Sequence, residues 1–157
     1  NNDILITTGG VSVGEKDYIH DVLEKMGAKI LFHGVEIKPG MPTLFAMLGK
    51  KPIISLSGNP FAAIVGFELL VRHILFNLTN NNKIIPEVRI AKMKSEYHNK
   101  GQMRRFLRGK LEYNNVIIPD KQGNGQLKTL LGCNCLVEIP ISKSFLKVGD
   151  SVMVHLL

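Results

Sequence analysis

The sequence predicts an α/β domain with a mostly parallel sheet over residues 1–80, followed by a small all-β barrel or sandwich over residues 84–157. Two strand–glycine–helix junctions in the first half indicate alternating strands and helices, the pattern of an α/β fold. A polar, turn-rich stretch at 77–83 separates this pattern from a series of short strand candidates. With 157 residues, 45% of them hydrophobic, the chain can bury a core in one domain or in two small ones.

The first junction, TTGGVSVGEKD, joins a buried strand predicted at 3–7 to a helix predicted at 17–26. Gly9 and Gly10 allow the backbone to turn sharply and to approach a ligand closely. Ser12 adds a hydroxyl to the same loop, and the start of the following helix offers backbone N–H groups to an anion.

Two carboxylates, Glu15 and Asp17, stand beside this glycine turn. A loop that binds a phosphate directly has no use for them, whereas hydroxyls, amides and carboxylates together suit a phosphorylated ligand held through Mg²⁺. The alternative interpretation is an ordinary βα turn, because acidic residues favour the start of a helix in any case.

A second strand precedes a loop predicted at 36–42, and Pro39-Gly40 within this loop is a turn signal. Lys38 is thereby placed at a loop tip, where a lysine can act as a point charge for an oxyanion. A solvated surface lysine is the alternative. We assign His33, in the preceding strand, a structural role.

Apolar runs at 43–48 and 52–56 are separated by a tight turn, so we expect them to pair as neighbouring strands. The second junction, SLSGNP, follows them. Its Pro60 fits the first turn of a helix, and Asn59 or Ser57 can cap the exposed amides there.

The helix predicted at 60–78 is apolar almost all round, which indicates burial in a core or at a subunit contact. Glu68, Arg72 and His73 within it argue against a membrane segment. Loops at the carboxyl ends of parallel strands gather at one crevice. We therefore expect the TTGG, KPG and SGNP loops to face a common site.

The second half lacks a long helical pattern and shows only one possible helical turn, at 127–131. Its strand candidates are 88–94, 107–113, 116–118, 136–140 and 151–156. The stretch GQMRRFLR concentrates Arg104, Arg105 and Arg108, and strand alternation would place Arg104 and Arg108 on one face and Arg105 on the other.

The net charge of +7 is concentrated in the second half, where residues 84–157 carry twelve Lys and Arg against six Asp and Glu. This surplus could serve a nucleic acid or an acidic small molecule, or it could form a solvated surface. Few aromatic side chains lie among the arginines, so the chain offers few rings on which the bases of a single strand could stack. Nucleic acid is therefore not favoured as a partner.

Cys133 and Cys135 are the only cysteines, and no suitably placed histidine completes a zinc site. We expect buried thiols in a reducing cytoplasm. No signal peptide is evident, and no apolar run approaches the roughly 20 residues of a membrane span. The chain starts with Asn1 rather than Met, and we interpret it as part of a longer protein.

Four features in this order resemble the molybdopterin molybdenumtransferase family, which includes the gephyrin E domain: TTGGVSVGEKDY, IKPGMP, SLSGNP opening an apolar helix, and an all-β tail ending in VGDSVMVHLL. The resemblance implies a three-layer α/β domain of the molybdopterin-binding type without its N-terminal part, followed by the β domain. It implies insertion of molybdate into adenylylated molybdopterin with Mg²⁺-dependent release of AMP, usually by a cytoplasmic homodimer that follows molybdopterin adenylyltransferase in the pathway. The chain alone is expected to be inactive.

The resemblance assigns catalytic roles to Asp17 and Lys38, and magnesium binding to Asp17 with Glu15. Arg105 is a weaker match to the family's β-domain arginine than Arg108 is. The residues that the resemblance assigns to substrate binding come from three loops and one strand: Gly9, Gly10, Ser12, Pro39, Gly58, Asn59, Pro60 and Arg108.

The sequence departs from the family pattern at three positions. Met41 stands where many members have a second lysine, Ser57 replaces a proline, and Ala62 stands where some members have a serine. Because of these departures, fewer neighbouring polar and charged groups support Lys38 in binding molybdate. Two other functions remain open: the related adenylyltransferase, which the β tail and the KPG motif disfavour, and a non-catalytic scaffold or nucleic-acid module that uses the basic half.

Overall fold

The structure is a computed structural model that describes residues 2–12, 18–99, 101–120, 122–123 and 127–157, with only the backbone of Leu127 and Thr129. It divides into two compact units. The first comprises the chain up to Glu36 together with Gly40–Val71, and the second comprises Ile37–Pro39 together with Arg72–Leu157. The division falls inside the long helix, ahead of the polar stretch at 77–83.

The strands, in chain order, are β1 (Leu5–Thr8), β2 (Lys29–His33), β3 (Ile37–Lys38), β4 (Leu44–Leu48), β5 (Lys51–Leu56), β6 (Val88–Met93), β7 (Tyr97–His98), β8 (Arg104–Glu112), β9 (Asn115–Ile117), β10 (Cys135–Ile139), β11 (Phe145–Leu146) and β12 (Ser151–Leu156). The helices are α1 (Ile19–Lys25), α2 (Pro60–Gly66) and α3 (Arg72–Thr79), with a π-helical turn at Phe67–Val71 and 3₁₀ turns at Asn82–Ile84 and Leu127–Leu130.

The sheet of the first unit has the order β1-β5-β4-β2. The predicted α/β class is confirmed, as is the pairing of the two apolar runs, now β4 and β5. The expected predominance of parallel pairing needs correction for the described strands. Only β1 and β5 run parallel, because the tight turn at Gly49-Lys50 folds β5 back along β4, and β2 also lies antiparallel to β4.

Helices cover both faces of this sheet. Leu23 of α1 shares a hydrophobic core with Leu44 and Ile53 on one face. On the other face Gly66 of α2 lies against Leu56, and a Cβ on Gly66 would lie 2.9 Å from a methyl carbon of that side chain. Ile53 and Leu56 point to opposite faces because side chains alternate along a strand. The three-layer prediction is confirmed.

Strand β1 is an edge strand of the described sheet, contrary to the prediction of a buried strand at 3–7. It pairs with β5 on one side, and its Leu5 and Ile6 side chains remain 47% and 37% exposed. The apolar composition of β1 predicted burial on both faces, but composition does not say whether a strand has a neighbour on each side.

The predicted helix at 60–78 is confirmed as one continuous helical run from Pro60 to Thr79. With 20 residues it is long and apolar enough to cross a membrane by length and composition, contrary to the sequence-based expectation that no segment approaches this length. A single such helix is weak evidence for a membrane, because core helices of soluble proteins meet the same criterion.

The second unit contains a closed ring of five strands, in the order β10-β12-β6-β9-β8 with β8 pairing back to β10. The predicted barrel is therefore confirmed. Leu107, Val137 and Val154 are among the buried residues of its core. Outside the ring, β3 pairs with β8 in parallel and β7 pairs with β11; these three two-residue strands have no counterpart in the prediction.

Candidate ligand site

The two glycine junctions lie against each other at the ends of β1 and β5. The Gly9 N–H donates a hydrogen bond to the Leu56 carbonyl oxygen at 2.9 Å. A Cβ on Gly58 would lie 3.2 Å from the Gly9 Cα, and Gly9 itself has φ +83°, so neither position accepts a larger residue without adjustment. The expectation that the TTGG and SGNP loops meet is confirmed.

Hydroxyl groups join the same two strands just before the loops. Thr7 Oγ1 donates to Ser55 Oγ at 2.8 Å, and Ser55 is fully buried. Thr7 and Ser55 are in register in the parallel pairing of β1 with β5. The bond therefore ties the base of one glycine loop to the base of the other.

The chain after Gly9 is held at two further points. The Gly10 carbonyl accepts a hydrogen bond from the Ile19 N–H at 3.2 Å, which joins the loop to the start of α1. His33 Nε2 donates to the Val11 carbonyl at 2.8 Å, since a carbonyl oxygen can only accept. The His33 ring also stacks on His20, with 5.5 Å between ring centroids. The structural role predicted for His33 is confirmed.

Ser12 is the last described residue of the glycine loop, and Glu15 and Asp17 lie outside the described residues. Their predicted catalytic and magnesium-binding roles stay predictions. Within the described ranges, no group of three or more His, Cys, Asp and Glu side chains could hold a metal ion.

The SGNP loop begins α2 as predicted. Asn59 Oδ1 accepts a hydrogen bond from the Ala62 N–H at 3.0 Å, and Pro60 occupies the first helical turn. Ser57 Oγ accepts from the Asn59 N–H at 3.3 Å, so this serine supports the residue that caps the helix. The side-chain oxygen of Asn59 thus serves the helix, and the Ala62 amide has a partner within the protein.

Lys38 and Pro39 belong to the second unit, while Gly40 belongs to the first. Lys38 is exposed at the end of β3, and the Lys38–Pro39 peptide bond is cis. Thr43 is buried, and its hydroxyl holds the loop by donating to the Gly40 carbonyl at 2.8 Å. That Lys38 and Pro39 share a site with the two glycine loops stays a prediction.

Arg108, the predicted substrate-binding arginine, is fully buried. Its guanidinium donates to the Gly123 carbonyl at 3.2 Å, and the Gln122 side chain bonds both the N–H and the carbonyl of Arg108. Burial lowers the pKa of the Arg108 guanidinium, and the neighbouring Cys133 opposes this effect. In this geometry the side chain anchors the segment around Gln122, and its role towards substrate stays a prediction.

The other two arginines of β8 occupy opposite faces, which confirms the predicted alternation. Leu107 lies in the barrel core and shares its face with Arg105. Arg104 Nε lies 3.4 Å from Glu138 Oε1 on the other face, and Glu138 Oε2 lies 2.9 Å from His155 Nε2. The sequence did not reveal that Glu138 and His155 accompany Arg104, because the three residues come from separate strands.

Two family profiles match the chain. The first, described as a probable molybdopterin binding domain, matches residues 1–77, and the second, the MoeA C-terminal region (domain IV), matches residues 91–157. Together they match all of the chain except residues 78–90.

Individual relatives agree with these profiles. A molybdopterin molybdenumtransferase from Staphylococcus aureus (strain COL) is 31% identical over 96% of the chain, and one from Staphylococcus epidermidis is 31% identical over 99%. A crystal structure of the molybdopterin biosynthesis moea protein from Pyrococcus horikosii superposes on this chain with a TM-score of 0.80 and 29% sequence identity. The superposition covers 98% of this chain and 37% of the Pyrococcus chain. The molybdenum cofactor biosynthesis protein from Pyrococcus furiosus shows the same fold, with a TM-score of 0.72 and 21% identity over 98% of this chain and 67% of that protein. The chain spans 37% and 38% of the length of the two staphylococcal relatives.

Proposed function

This chain belongs to the MoeA-type family of molybdenum cofactor biosynthesis, and from that membership we propose that it forms part of a molybdopterin molybdenumtransferase. The proposed reaction inserts molybdate into adenylylated molybdopterin and releases AMP in a Mg²⁺-dependent step. Molybdate and adenylylated molybdopterin are its substrates. The observation that carries the proposal is the contact between the two glycine junctions, because it creates a small-residue surface at the ends of two parallel strands.

The glycine surface suits a phosphorylated ligand for steric reasons. Gly9 and Gly58 lie close together and carry no side chains, so at these two positions a ligand can approach the backbone directly. In open α/β sheets, ligands bind beyond the carboxyl ends of parallel strands, which is where these two residues lie. The bonds from Ile19 and His33 hold the loop carbonyls in place before a ligand arrives.

The donor set of the first loop fits Mg²⁺ by its chemistry. The carboxylates of Glu15 and Asp17 supply the oxygen ligands that Mg²⁺ prefers, and the metal usually keeps several waters and binds substrate phosphates. When bound, the ion would neutralise negative charge that develops on the departing phosphate. In the proposed site Asp17 and Glu15 hold this ion and Ser12 contributes a hydrogen bond to the phosphate.

Lys38 is the proposed contact for the incoming oxyanion. Its ammonium group is an exposed point charge on β3, which is fixed by pairing with β8. Pro39, Asn59 and Pro60 shape the backbone beside their respective glycines. Arg108 would act through its hold on the segment around Gln122 and Gly123.

We test the proposal by AMP release from adenylylated molybdopterin in the full-length protein, with molybdate and Mg²⁺. The wild type should release AMP, and Asp17→Asn should reduce the rate at least about a hundredfold, because the metal loses a charged ligand, while circular dichroism stays unchanged. Lys38→Ala should require about tenfold more molybdate for half-maximal rate. Near-normal turnover by Asp17→Asn would contradict the metal role, and absence of AMP release by the wild type would contradict the proposed reaction.

The same proposal includes a cytoplasmic homodimer that receives its substrate from molybdopterin adenylyltransferase. Sedimentation equilibrium of the full-length protein tests the oligomeric state, and the dimer mass is the expected result. ATP-dependent adenylylation of molybdopterin by this protein itself would instead assign it to the preceding step.

A further inference from the structure

Strand β2 ends at the same edge of its sheet as the two strands that lead into the glycine loops. It runs antiparallel to β4, and β4 runs antiparallel to β5, so β2 points in the same direction as β5 and β1. The last residue of β2, His33, is in register with the fully buried Leu44 of β4. The sheet therefore places His33 at the edge where ligands bind in folds of this class.

Two contacts fix the His33 ring, although the residue is exposed to solvent. Its Nε2 atom donates a hydrogen bond to the Val11 carbonyl oxygen at 2.8 Å. Its ring also stacks on His20 of α1, with 27° between the ring planes. One side chain thus contacts the chain both before and after Ser12.

The hydrogen bond from His33 sets the direction of the Ser12 N–H group. The Val11 carbonyl and the Ser12 N–H belong to one trans peptide group, which is planar, so their bonds point in opposite directions. The bond from the Ile19 N–H to the Gly10 carbonyl fixes the preceding peptide group in the same way. Among the residues that the structure describes, no acceptor bonds the Ser12 N–H, so a phosphate oxygen can accept from it.

The Val11 carbonyl would be unfavourable beside a phosphate, because both carry negative charge on oxygen. Its peptide group comes two residues after Gly9 and one after Gly10, where the backbone rotates easily. Without a donor at residue 33, rotation of this peptide group would turn the carbonyl towards the ligand and the Ser12 N–H away from it. The donor on His33 opposes that rotation.

We infer that His33 is a positioning residue for the phosphate-bearing substrate and acts through the peptide group between Val11 and Ser12. This inference rests on the proposed function and adds to it a residue outside both glycine loops. His33 itself touches no reacting atom. Its effect is therefore on the affinity for adenylylated molybdopterin and not on the requirement for molybdate.

The test compares His33→Phe, His33→Gln and the matched control His98→Phe in the full-length protein. Phenylalanine keeps a ring that can stack on His20 but has no donor, whereas glutamine keeps a side-chain N–H donor. His98 is also a stacked histidine, with its ring 4.3 Å from that of Phe145 in the second unit. AMP release is measured against adenylylated molybdopterin and against molybdate, and calorimetry measures binding of adenylylated molybdopterin without molybdate and Mg²⁺.

His33→Phe should raise the KM for adenylylated molybdopterin about fivefold or more, because one hydrogen bond that orders the loop is lost. The molybdate concentration for half-maximal rate should stay within about twofold of the wild-type value. His33→Gln should recover most of the affinity, and His98→Phe should match the wild type. Circular dichroism of the variants verifies that each is folded.

Three results would overturn the inference: an unchanged KM in His33→Phe, equal rises of the KM and of the molybdate requirement, or equal losses in His33→Phe and His33→Gln. If the wild type releases no AMP but binds adenylylated molybdopterin in a His33-dependent manner, the proposed reaction fails and the positioning role stands. Absence of binding by the wild type would overturn both.

A measurement on the wild type needs no folded variant. A carbonyl oxygen only accepts, so the hydrogen bond requires a proton on His33 Nε2. The ¹⁵N chemical shifts of labelled histidine in the full-length protein should show Nε2 protonated. An unprotonated Nε2 would overturn the inference.

Discussion

Burial determines the chemistry of the two cysteines. Cys135 is fully buried in the barrel core, and this burial raises the pKa of its thiol to about 11. Burial also raises the pKa of Cys133, although the positive charge of Arg108 opposes the shift. Both side chains are therefore neutral thiols near pH 7. The expectation of buried thiols is confirmed for Cys135 but not for Cys133, which is only half-buried.

The pKa of Cys135 predicts a loss of stability at alkaline pH. In the unfolded chain this thiol ionises near its ordinary pKa of 9.0, whereas in the folded protein it stays protonated to about pH 11. The folded state therefore binds more protons between these values, and the free energy of unfolding falls as pH rises from about 9 to 11. For this group alone the fall is on the order of 2 kcal/mol.

Urea unfolding at pH 8, 9, 10 and 11 measures this effect in the wild type and in Cys135→Ala. Lysines and tyrosines titrate in both proteins, so the difference between the two pH profiles isolates Cys135. The alanine variant should show the shallower decline. Parallel profiles would contradict a buried, neutral Cys135.

At the scale of one element, strand β8 closes the barrel by pairing with several other strands. It pairs with β9, with β10 and with β3, and its interior side carries Gly109 opposite Cys135. A Cβ on Gly109 would lie 2.5 Å from a methyl carbon of Val137 and 2.9 Å from Cys135 Sγ. The side chains of the neighbouring strand β10 therefore fill the space beside Gly109, and a side chain at this position would overlap with them.

Gly109→Ala should lower the free energy of unfolding by roughly 1–3 kcal/mol, because the added methyl group cannot be accommodated without moving buried side chains. Gly101→Ala is the control. Among the described residues, its Cβ would meet only the Asn99 Oδ1 atom, at an ordinary distance of 3.7 Å, so it should change stability much less. Urea denaturation of both variants gives the comparison, and equal stabilities would show that the core rearranges easily around residue 109.

For the whole molecule, the chain passes between the two units more than once. Ile37–Pro39 belongs to the second unit, although the residues before and after it belong to the first. The predicted domain bounds of 1–80 and 84–157 therefore assign β3 to the α/β part, whereas its backbone hydrogen-bonding partner is β8. A single boundary along the chain therefore separates β3 from β8, the strand with which it pairs.

A chain of residues 84–157 should still form the five-strand ring, because every ring strand lies between Val88 and Leu156. It lacks β3, so the edge of β8 at Arg104 and Arg105 loses its neighbour. Hydrogen exchange around these two residues should be faster than in the 157-residue chain. Exchange in β10, which has ring strands on both sides, serves as the internal control and should change little; equal protection at Arg104 and Arg105 in both chains would contradict a stabilising role for β3.

The sequence by itself determined most of the element types, the two glycine junctions and the all-β character of the second half, and it offered Asn59 or Ser57 as the cap of the second helix. These features depend on local chemistry: glycine permits tight turns, proline and asparagine mark a helix start, and apolar periodicity identifies strands and helices. The direction of sheet pairing was harder to predict, because the apolar pattern of β4 and β5 does not specify what their neighbours are.

Only the tertiary structure decided that β3 joins β8, that His33 holds the Val11 carbonyl, and that Arg104 is neutralised while Arg105 stands beside Lys38. His33 and Val11 lie 22 residues apart, and Lys38 and Arg105 lie on strands of opposite halves of the sequence. Such contacts arise from the packing of distant segments, which leaves no periodic signal along the chain. The physical reason is that neighbouring residues set local conformation, whereas the charge that a ligand meets depends on which segments fold together.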